Sequence, residues 1–192
     1  MTGNPKTALR QQLRAARKAH VDTLPASIRA LVLKRPPVQV AQMVPPDAVI
    51  GFYHATATEA PATGYAKFFQ EAGHTIALPW FADRQAPMAF REWREPYANS
   101  DLTAGPFGIQ QPDDDAAPVE PNVLFIPLLG FDAKGGRLGQ GAGHYDRWLA
   151  TRPNVLAIGL AWDCQLVDNL PLEDHDRPMT AIVTPTRLYG PF

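Results

Sequence analysis

The chain has 192 residues, a length that favours one domain over residues 1–192 and allows a sizeable hydrophobic core. Hydrophobic residues make up 45%, and 18 Lys and Arg nearly balance 19 Asp and Glu, so the composition is globular and excludes nucleic-acid binding by bulk charge. The longest apolar stretch, over 123–131, is far shorter than the roughly 20 residues that cross a bilayer, so no membrane-spanning helix is expected.

The amino terminus and the cysteine content bear on the cellular compartment. Basic residues precede the first acidic residue, Asp22, as in some transit peptides, but no apolar signal segment is present and no serine comes before Ser27. A secretory signal is therefore excluded, and a mitochondrial presequence stays open as the alternative. The single cysteine, Cys164, can form neither an internal disulfide nor a thiolate metal cluster. We expect a monomer in a reducing compartment, with the cytoplasm as the default.

Hydrophobic patterning predicts alternating helices and strands. In chain order these are helices over 6–20 and 26–34, a strand over 48–53, a helix over 61–72, a strand over 75–79, a weaker strand over 88–93, a strand over 123–129, a helix over 143–150, and strands over 155–161 and 181–184. This order predicts an α/β class protein, a three-layer α/β/α domain with a largely parallel sheet covered by helices on both faces. The segment 104–121 is rich in proline and is expected to be an exposed connection.

The most informative segment follows the predicted strand at 123–129. It runs over 130–146 and contains five glycines within nine residues: Gly135, Gly136, Gly139, Gly141 and Gly143. Glycines let a backbone approach a ligand closely, and consecutive N–H groups that lead into a helix form an anion site. Arg137 adds a fixed cation and Lys134 a mobile one, so a phosphate site is predicted, with a mobile surface loop as the alternative. The pattern matches neither a Walker A loop nor a dinucleotide fingerprint.

A second basic feature lies at the amino terminus. Lys6, Arg10, Arg14 and Arg17 fall on one face of the helix predicted over about 5–20. A solvated basic face is one interpretation, and a second clamp on a polyphosphate is the other.

Other candidate residues point to chemistry less specifically. Asp146 and the Asp174–Asp176 cluster could hold Mg²⁺ beside phosphates, or serve as helix caps and loop charges. The histidines show no zinc spacing, which disfavours a metallohydrolase, and no Gly-x-Ser-x-Gly elbow is present. Cys164 follows a predicted core strand, where packing is favoured over nucleophilic catalysis.

Several motifs, in this order along nearly the whole chain, resemble the 5-formyltetrahydrofolate cyclo-ligase family (5,10-methenyltetrahydrofolate synthetases). The most specific is Arg137-Leu-Gly-x-Gly-x-Gly-x-Tyr-Asp146, which follows Ile126-Pro-Leu-Leu-Gly-Phe-Asp132. Shorter matches are Lys6-x-x-Leu9-Arg10, Glu59 after the strand that ends at Tyr53, Ile76-Ala-Leu-Pro79, Gly108-Ile109, Gln165-Leu-Val, Leu170-Pro and His175-Asp176.

The resemblance implies a fold of the kind shared by sugar-phosphate isomerases and CoA transferases. It also implies an ATP- and Mg²⁺-dependent cyclisation of 5-formyltetrahydrofolate to 5,10-methenyltetrahydrofolate, with release of ADP and phosphate. The partners would be 5-formyltetrahydrofolate and ATP, without nucleic acid or membrane. An ATP-binding non-ligase, or a phosphosugar isomerase-like enzyme on the same fold, is the rival hypothesis.

The resemblance also implies the site residues, position by position. ATP contacts would come from Lys6, Thr7, Ala8, Leu9, Arg10, Arg14, Arg137, Leu138, Gly139, Gln140, Gly141, Ala142, Gly143, His144 and Tyr145. Lys6, Arg10 and Arg137 would lie nearest the phosphates, and Lys6 and Arg137 would be catalytic. Folate contacts would come from His54, Glu59, Gln140, Gly141, Ala142, Gly143 and His144, and Mg²⁺ ligands from Asp146 and Asp176.

Two points qualify this transfer of roles. Glu59 follows a predicted strand and opens a predicted helical segment, so a favourable charge at a helix start is the alternative to pterin binding. Gln140, Ala142 and His144 replace Tyr, Gly and Tyr of the pattern common in bacterial relatives. We expect these replacements to affect substrate affinity more than the type of reaction.

Overall fold

The computed structural model describes residues 5–171 and 177–192. Its helices are α1 (Pro5–Thr23), α2 (Ala26–Arg29), α3 (Val38–Met43), α4 (Thr63–Glu71) and α5 (His144–Ala150), with a 3₁₀ turn at Asp163–Gln165. Its strands are β1 (Val49–Gly51), β2 (Thr75–Trp80), β3 (Ala89–Glu92), β4 (Leu102–Ala104), β5 (Gln110–Pro112), β6 (Val123–Pro127), β7 (Gly130–Phe131), β8 (Arg137–Leu138), β9 (Leu156–Leu160), β10 (Ala181–Val183) and β11 (Leu188–Tyr189). No helix within these ranges is long and apolar enough to cross a bilayer.

The central sheet is largely parallel, as expected. Within the described residues, seven strands form it in the order β11-β10-β9-β6-β1-β2-β3. The inner strands run parallel, since β1 pairs with β2 and β6, and β9 pairs with β6 and β10. β3 and β11 pair antiparallel at the two edges. The carboxyl ends of the inner strands therefore meet along one edge of the sheet.

Helices cover both faces of this sheet. In β6, Val123 and Phe125 belong to one buried cluster, which includes side chains of α3 and α4. Leu124 and Ile126 belong to a second buried cluster, which includes Trp148 of α5. Successive residues of a strand point to opposite faces, so α3 and α4 form one outer layer and α5 the other. The predicted three-layer α/β/α architecture is confirmed.

The second predicted helix, over 26–34, is wrong beyond Arg29. The chain forms turns there, and Leu33 adopts a positive φ of 52°. Pro36 and Pro37 follow, and a proline disfavours helical backbone in the residue before it. The prolines keep the chain from returning to a helix before α3, and α2 itself is one turn long.

The expectation of an exposed connection over 104–121 is correct for more than half of its residues, but the segment is folded and partly buried. β4 and β5 form an antiparallel hairpin in which Ala104 pairs with Gln110, and Gly108 adopts a φ of 73° in its turn. Gln111 and Ala116 are buried. The glycines and prolines of this segment mark the turns of a folded hairpin, and this hairpin forms one wall of the cavity described next.

Candidate active site

A cavity of about 530 Å³ opens at the carboxyl ends of the inner strands. His54 lines it after β1, Pro79 is contributed by β2, and Pro127 by β6. Parallel α/β sheets bind ligands at this edge, and the volume lies in the range of roughly 300–1,000 Å³ that small-molecule sites have. The remaining walls come from α1, the β4–β5 hairpin and the segment 130–146.

The structure brings most of the predicted site residues to this one cavity. Those that line it are Lys6, Arg10, His54, Glu59, Arg137, Leu138, Gly139, Gln140, Gly141, Ala142, Gly143, His144, Tyr145 and Asp146. They come from three separate parts of the chain, which the fold places side by side.

Other predicted site residues do not line the cavity. Thr7 and Ala8 are exposed, and Leu9 packs against the small buried cluster beneath α1. Lys6 and Arg10 both line the cavity because residues four apart in a helix lie on the same side. Residues 7–9 lie between them in sequence and therefore point in other directions. Arg14 reaches the glycine segment but not the cavity lining. Asp176 lies outside the described residues.

The first half of the glycine segment, residues 130–146, is a folded hairpin. β7 pairs antiparallel with β8, and Oδ1 of Asp132 accepts 2.9 Å hydrogen bonds from the N–H groups of Lys134 and Gly136. Lys134 is exposed and is not part of the cavity lining. Arg137, in β8 of this hairpin, is instead the cation that lines the cavity.

The second half passes along the cavity wall with a backbone that requires glycine. Gly141 and Gly143 adopt φ values of 111° and 67°, which residues with a side chain rarely reach. A Cβ atom on Gly143 would also lie 2.9 Å from Nη1 of Arg147. The backbone between β8 and α5 can therefore lie close to a ligand.

Helix α1 holds this wall in place. Nε of Arg10 donates to the carbonyl oxygen of Gly139 at 3.0 Å, and Nη2 of Arg14 donates to that of Gln140 at 2.9 Å. The basic stripe is thus not a simple solvated face. Its fourth member, Arg17, is only 5% exposed, and its Nε and Nη1 atoms are buried without a hydrogen-bond partner. Burial lowers the pKa of Arg17, while the charge of Glu59 acts in the opposite direction.

Arg137 is a buried cation at the phosphate-binding end proposed from the sequence. Its guanidinium forms an ion pair with the carboxylate of Asp146, the third residue of α5. Its Nε atom is buried without a hydrogen-bond partner. The pair ties β8 to α5 and so fixes both ends of the intervening glycine loop.

Glu59 also lines the cavity, next to the glycine segment. Its Oε2 accepts a hydrogen bond from the N–H of Thr56 at 2.9 Å, and its Oε1 accepts one from Nε2 of Gln140 at 3.2 Å. Helix α4 begins only at Thr63, so Glu59 is not in its first turn and the helix-start interpretation is not supported. The carboxylate is instead held at the cavity by a local turn.

The ionisable groups around Glu59 are tuned mainly by burial. Burial raises the pKa of Tyr53 and of Tyr145, and the nearby charge of Glu59 raises both further. Burial lowers the pKa of His54, which favours its neutral form. The hydroxyl of Tyr53 donates to the carbonyl oxygen of Ala60 at 2.5 Å. These side chains therefore act at neutral pH as uncharged hydrogen-bonding groups.

His144 has a defined proton position. Nη2 of Arg147 lies 3.1 Å from its Nδ1, and burial together with the Arg147 charge lowers the pKa of His144. A guanidinium can only donate, so Nδ1 is the acceptor and the ring proton lies on Nε2.

Cys164 shows the features of a packing residue. It packs against the larger buried cluster, and burial raises the pKa of its thiol. A raised thiol pKa disfavours the thiolate that nucleophilic catalysis needs.

Comparison with known proteins accounts for this arrangement. The model of the 5-formyltetrahydrofolate cyclo-ligase family matches residues 2–185. The chain belongs to this family.

Curated relatives agree with this cyclo-ligase assignment. The 5-formyltetrahydrofolate cyclo-ligase of Escherichia coli (strain K12) is 40% identical over 99 residues, which cover 48% of this chain and 54% of that protein. The one from Mycolicibacterium smegmatis is 35% identical over 125 residues, or 61% of this chain and 63% of that protein. The chain thus spans about half the length of the E. coli relative that it matches.

Two solved structures share the fold. The 5,10-methenyltetrahydrofolate synthetase of Aquifex aeolicus has a TM-score of 0.72 at 23% identity, covering 97% of this chain and 92% of that one. The one from Mycoplasma pneumoniae has a TM-score of 0.64 at 22% identity, covering 93% and 98% respectively.

The cyclo-ligase cavity also contains residues that the sequence did not single out. Phe81 and Phe107 line it, and their ring centroids lie 5.0 Å apart. Both rings also contact the His144 ring, at 4.8 and 5.3 Å. Phe107 is 40% exposed and neighbours Ile109, which is 47% exposed. The signal that could have identified this wall from the sequence is the pair of apolar residues Phe107 and Ile109 in a segment rich in proline and glycine, because exposed apolar side chains indicate a binding surface.

The carboxylates near the cavity are the candidate ligands for Mg²⁺, which the cyclo-ligase resemblance implies. Among residues 5–171 and 177–192, no group of three or more His, Cys, Asp or Glu side chains could hold a metal ion. Among the residues that the structure describes, Asp146 is the carboxylate paired with Arg137 in the cavity wall. One carboxylate fits Mg²⁺ when phosphate and water oxygens supply most of the ligands, and does not fit a metal site made by the protein alone.

Proposed function

We propose that this protein catalyses the ATP-dependent cyclisation of 5-formyltetrahydrofolate to 5,10-methenyltetrahydrofolate, with release of ADP and phosphate. Membership of the cyclo-ligase family supports this reaction. The observation that carries the proposal is that one cavity is lined both by cations suited to phosphates and by the carboxylate of Glu59. The relatives' names state the same reaction for those proteins.

On the nucleotide side, Lys6, Arg10 and Arg137 would contact the phosphates of ATP. All three line the cavity, as do residues 139–143. Arg137 is buried and held by Asp146, so its charge is fixed before phosphoryl transfer. A fixed cation stabilises the charge that develops on the transferred group without reorganisation cost.

On the folate side, Glu59 would accept hydrogen bonds from the aminopyrimidine edge of the pterin. A carboxylate presents two acceptor oxygens, which match adjacent N–H donors. His54 lies next to it along the same wall. The rings of Phe81, Phe107 and His144 form an aromatic wall against which a flat ring system can pack.

The chemistry needs activation of an amide oxygen. The formyl oxygen on N5 attacks the γ-phosphorus of ATP, ADP leaves, and the formyl carbon becomes an iminium phosphate. The N10 lone pair then attacks that carbon, N10 loses its proton, and the carbon–oxygen bond breaks as phosphate departs. The result is the methenyl bridge between N5 and N10. Positioning and charge stabilisation accelerate such a transfer, and no side-chain nucleophile is required.

Asp146 would be the protein ligand of Mg²⁺ bound with ATP. When bound, Mg²⁺ would offset negative charge on the phosphate oxygens. Asp176 stays a prediction as a second ligand. We further propose that the protein acts as a monomer and that it acts in the cytoplasm. The single unpaired cysteine, Cys164, supports a reducing compartment.

The test is an assay with purified protein, 5-formyltetrahydrofolate, ATP and Mg²⁺, followed through the absorbance of the methenyl product. We expect product only when ATP and a divalent metal are both present. Turnover without ATP, or no turnover with any nucleotide, would contradict the proposal. The second outcome would favour an ATP-binding protein that has lost the ligase reaction, a rival that the family match does not favour.

A further inference from the structure

The Glu59 carboxylate has a defined orientation in the cavity wall. The N–H of Thr56 donates to its Oε2 at 2.9 Å, and the backbone N–H of Glu59 donates back to the carbonyl oxygen of Thr56 at 3.1 Å. These two bonds close a tight turn. Oε2 keeps a second lone pair for a further donor, while Oε1 takes no part in this turn and is open to a donor from elsewhere in the cavity.

Gln140 already donates to that oxygen. Its Nε2 lies 3.2 Å from Oε1 of Glu59, although 81 residues separate the two along the chain. A primary amide and the amino group of an aminopyrimidine offer the same chemistry to a carboxylate, namely an N–H donor on a planar group. The side chain of Gln140 thus occupies the position that the pterin edge would take.

The hydrogen bond from Gln140 to Glu59 can be exchanged for a bond to solvent at a small cost in free energy. Gln140 is exposed and follows Gly139 and precedes Gly141, so solvent can replace the bond that its amide gives up. Nε and Nη2 of Arg14 lie 3.4 Å from Oε1 of Gln140, and Nη2 also donates to its carbonyl oxygen. Arg14 can therefore keep Gln140 at the rim of the cavity after its amide has left Glu59.

We propose that Gln140 is a specificity-determining residue whose amide competes with the substrate for Oε1 of Glu59. The inference rests on the proposed function, because it takes the pterin edge as the competing donor. A ligand binds only when its N–H donors to Glu59 outcompete the internal amide. Analogues that lack the amino group are rejected, since they would leave Gln140 in place.

The experiment is isothermal titration of 5-formyltetrahydrofolate into protein without nucleotide. Gln140→Met keeps an unbranched side chain of similar length and removes the N–H donor. We expect its Kd to fall about threefold to tenfold below that of the parent, the range that corresponds to one net hydrogen bond. Gln42→Met, an exposed glutamine on α3, is the matched control and should leave Kd unchanged.

A double-mutant cycle assigns the effect to Glu59. In a Glu59→Gln background, Gln140→Met should change Kd by less than about twofold. The glutamine oxygen stays with the N–H of Thr56, and its amino group, at the position of Oε1, cannot accept from the Gln140 amide. An unchanged or raised Kd for Gln140→Met overturns the inference, as does an equal gain in the Glu59→Gln background or in Gln42→Met. Absence of binding by parent and variant alike overturns the proposed function itself, and the inference with it.

Discussion

The guanidinium of Arg137 forms an ion pair with the carboxylate of Asp146, nine residues further along the chain. The pair closes the glycine loop over 139–143 between β8 and α5. Arg137 is 7% exposed, whereas the Asp146 side chain is 35% exposed. Both side chains line the cavity, so the ion pair holds the cation at the wall where the proposed phosphate would bind.

Replacement of Arg137 by alanine should lower kcat more than it weakens folate binding. A charge-assisted contact to the transferred phosphoryl group strengthens in the transition state, so we expect kcat to fall at least tenfold, about 1.4 kcal/mol. Steady-state kinetics with varied folate and ATP would measure this. Arg35→Ala, an exposed arginine away from the cavity, is the control. A kcat within about threefold of the parent would remove Arg137 from the reaction.

Glu59→Gln should raise the KM for 5-formyltetrahydrofolate at least tenfold, about 1.4 kcal/mol. A glutamine offers one acceptor and one donor, so it cannot accept from two adjacent N–H groups. Because the side-chain oxygen of glutamine can still accept from Thr56, the melting temperature and the KM for ATP should barely change. Steady-state kinetics and thermal melts of Glu59→Gln would measure both KM values and the melting temperature. A loss of stability with unchanged folate kinetics would mean that Glu59 is only structural.

The layer order and the location of the site could be predicted from the sequence. Strands such as 123–129 are short and apolar without alternation, which indicates buried parallel strands, and a glycine-rich segment after such a strand falls at the ligand-binding edge. The β4–β5 hairpin could not be predicted in this way. Its strands are three residues long, and short strands depend on pairing with each other rather than on their own pattern.

Arg17 illustrates a different failure. It was grouped with the basic stripe by its charge, yet Leu13 and Val21 stand four residues before and after it and are both buried. The period of the apolar residues places Arg17 on the buried face of α1, and this signal is more reliable than charge.

Arg17→Met should therefore raise the melting temperature by a few degrees, about 2–4 °C. Methionine fills a similar volume, and removes a guanidinium whose Nε and Nη1 are buried without partners. Arg14→Met, at an exposed position one turn earlier, is the comparison and should not stabilise the fold. Thermal melts of the parent and of both variants without ligand would measure this difference in melting temperature. A lower melting temperature for Arg17→Met would show that the guanidinium contributes net stability through its attraction to Glu59.

His54 should make stability depend on pH in a defined window. Burial lowers its pKa in the folded protein below the ordinary value of 6.5, so the unfolded chain takes up this proton first as the pH falls. Where the unfolded state binds more protons, the free energy of unfolding decreases with falling pH. The contribution is thus complete above about pH 6.5 and is lost as the pH falls through the lower folded pKa.

His54→Gln lacks this contribution while keeping a polar side chain. We expect the melting temperature of the parent, relative to that of the variant, to decline as the pH is lowered from about 7.5 to about 5. His144, whose pKa burial also lowers, is present in both proteins, so its effect cancels in the difference. Parallel melting curves across this range would show that His54 is as easily protonated in the folded protein as in the unfolded chain. The imidazolium would then have to be well solvated beside Glu59, although His54 is half-buried in the structure.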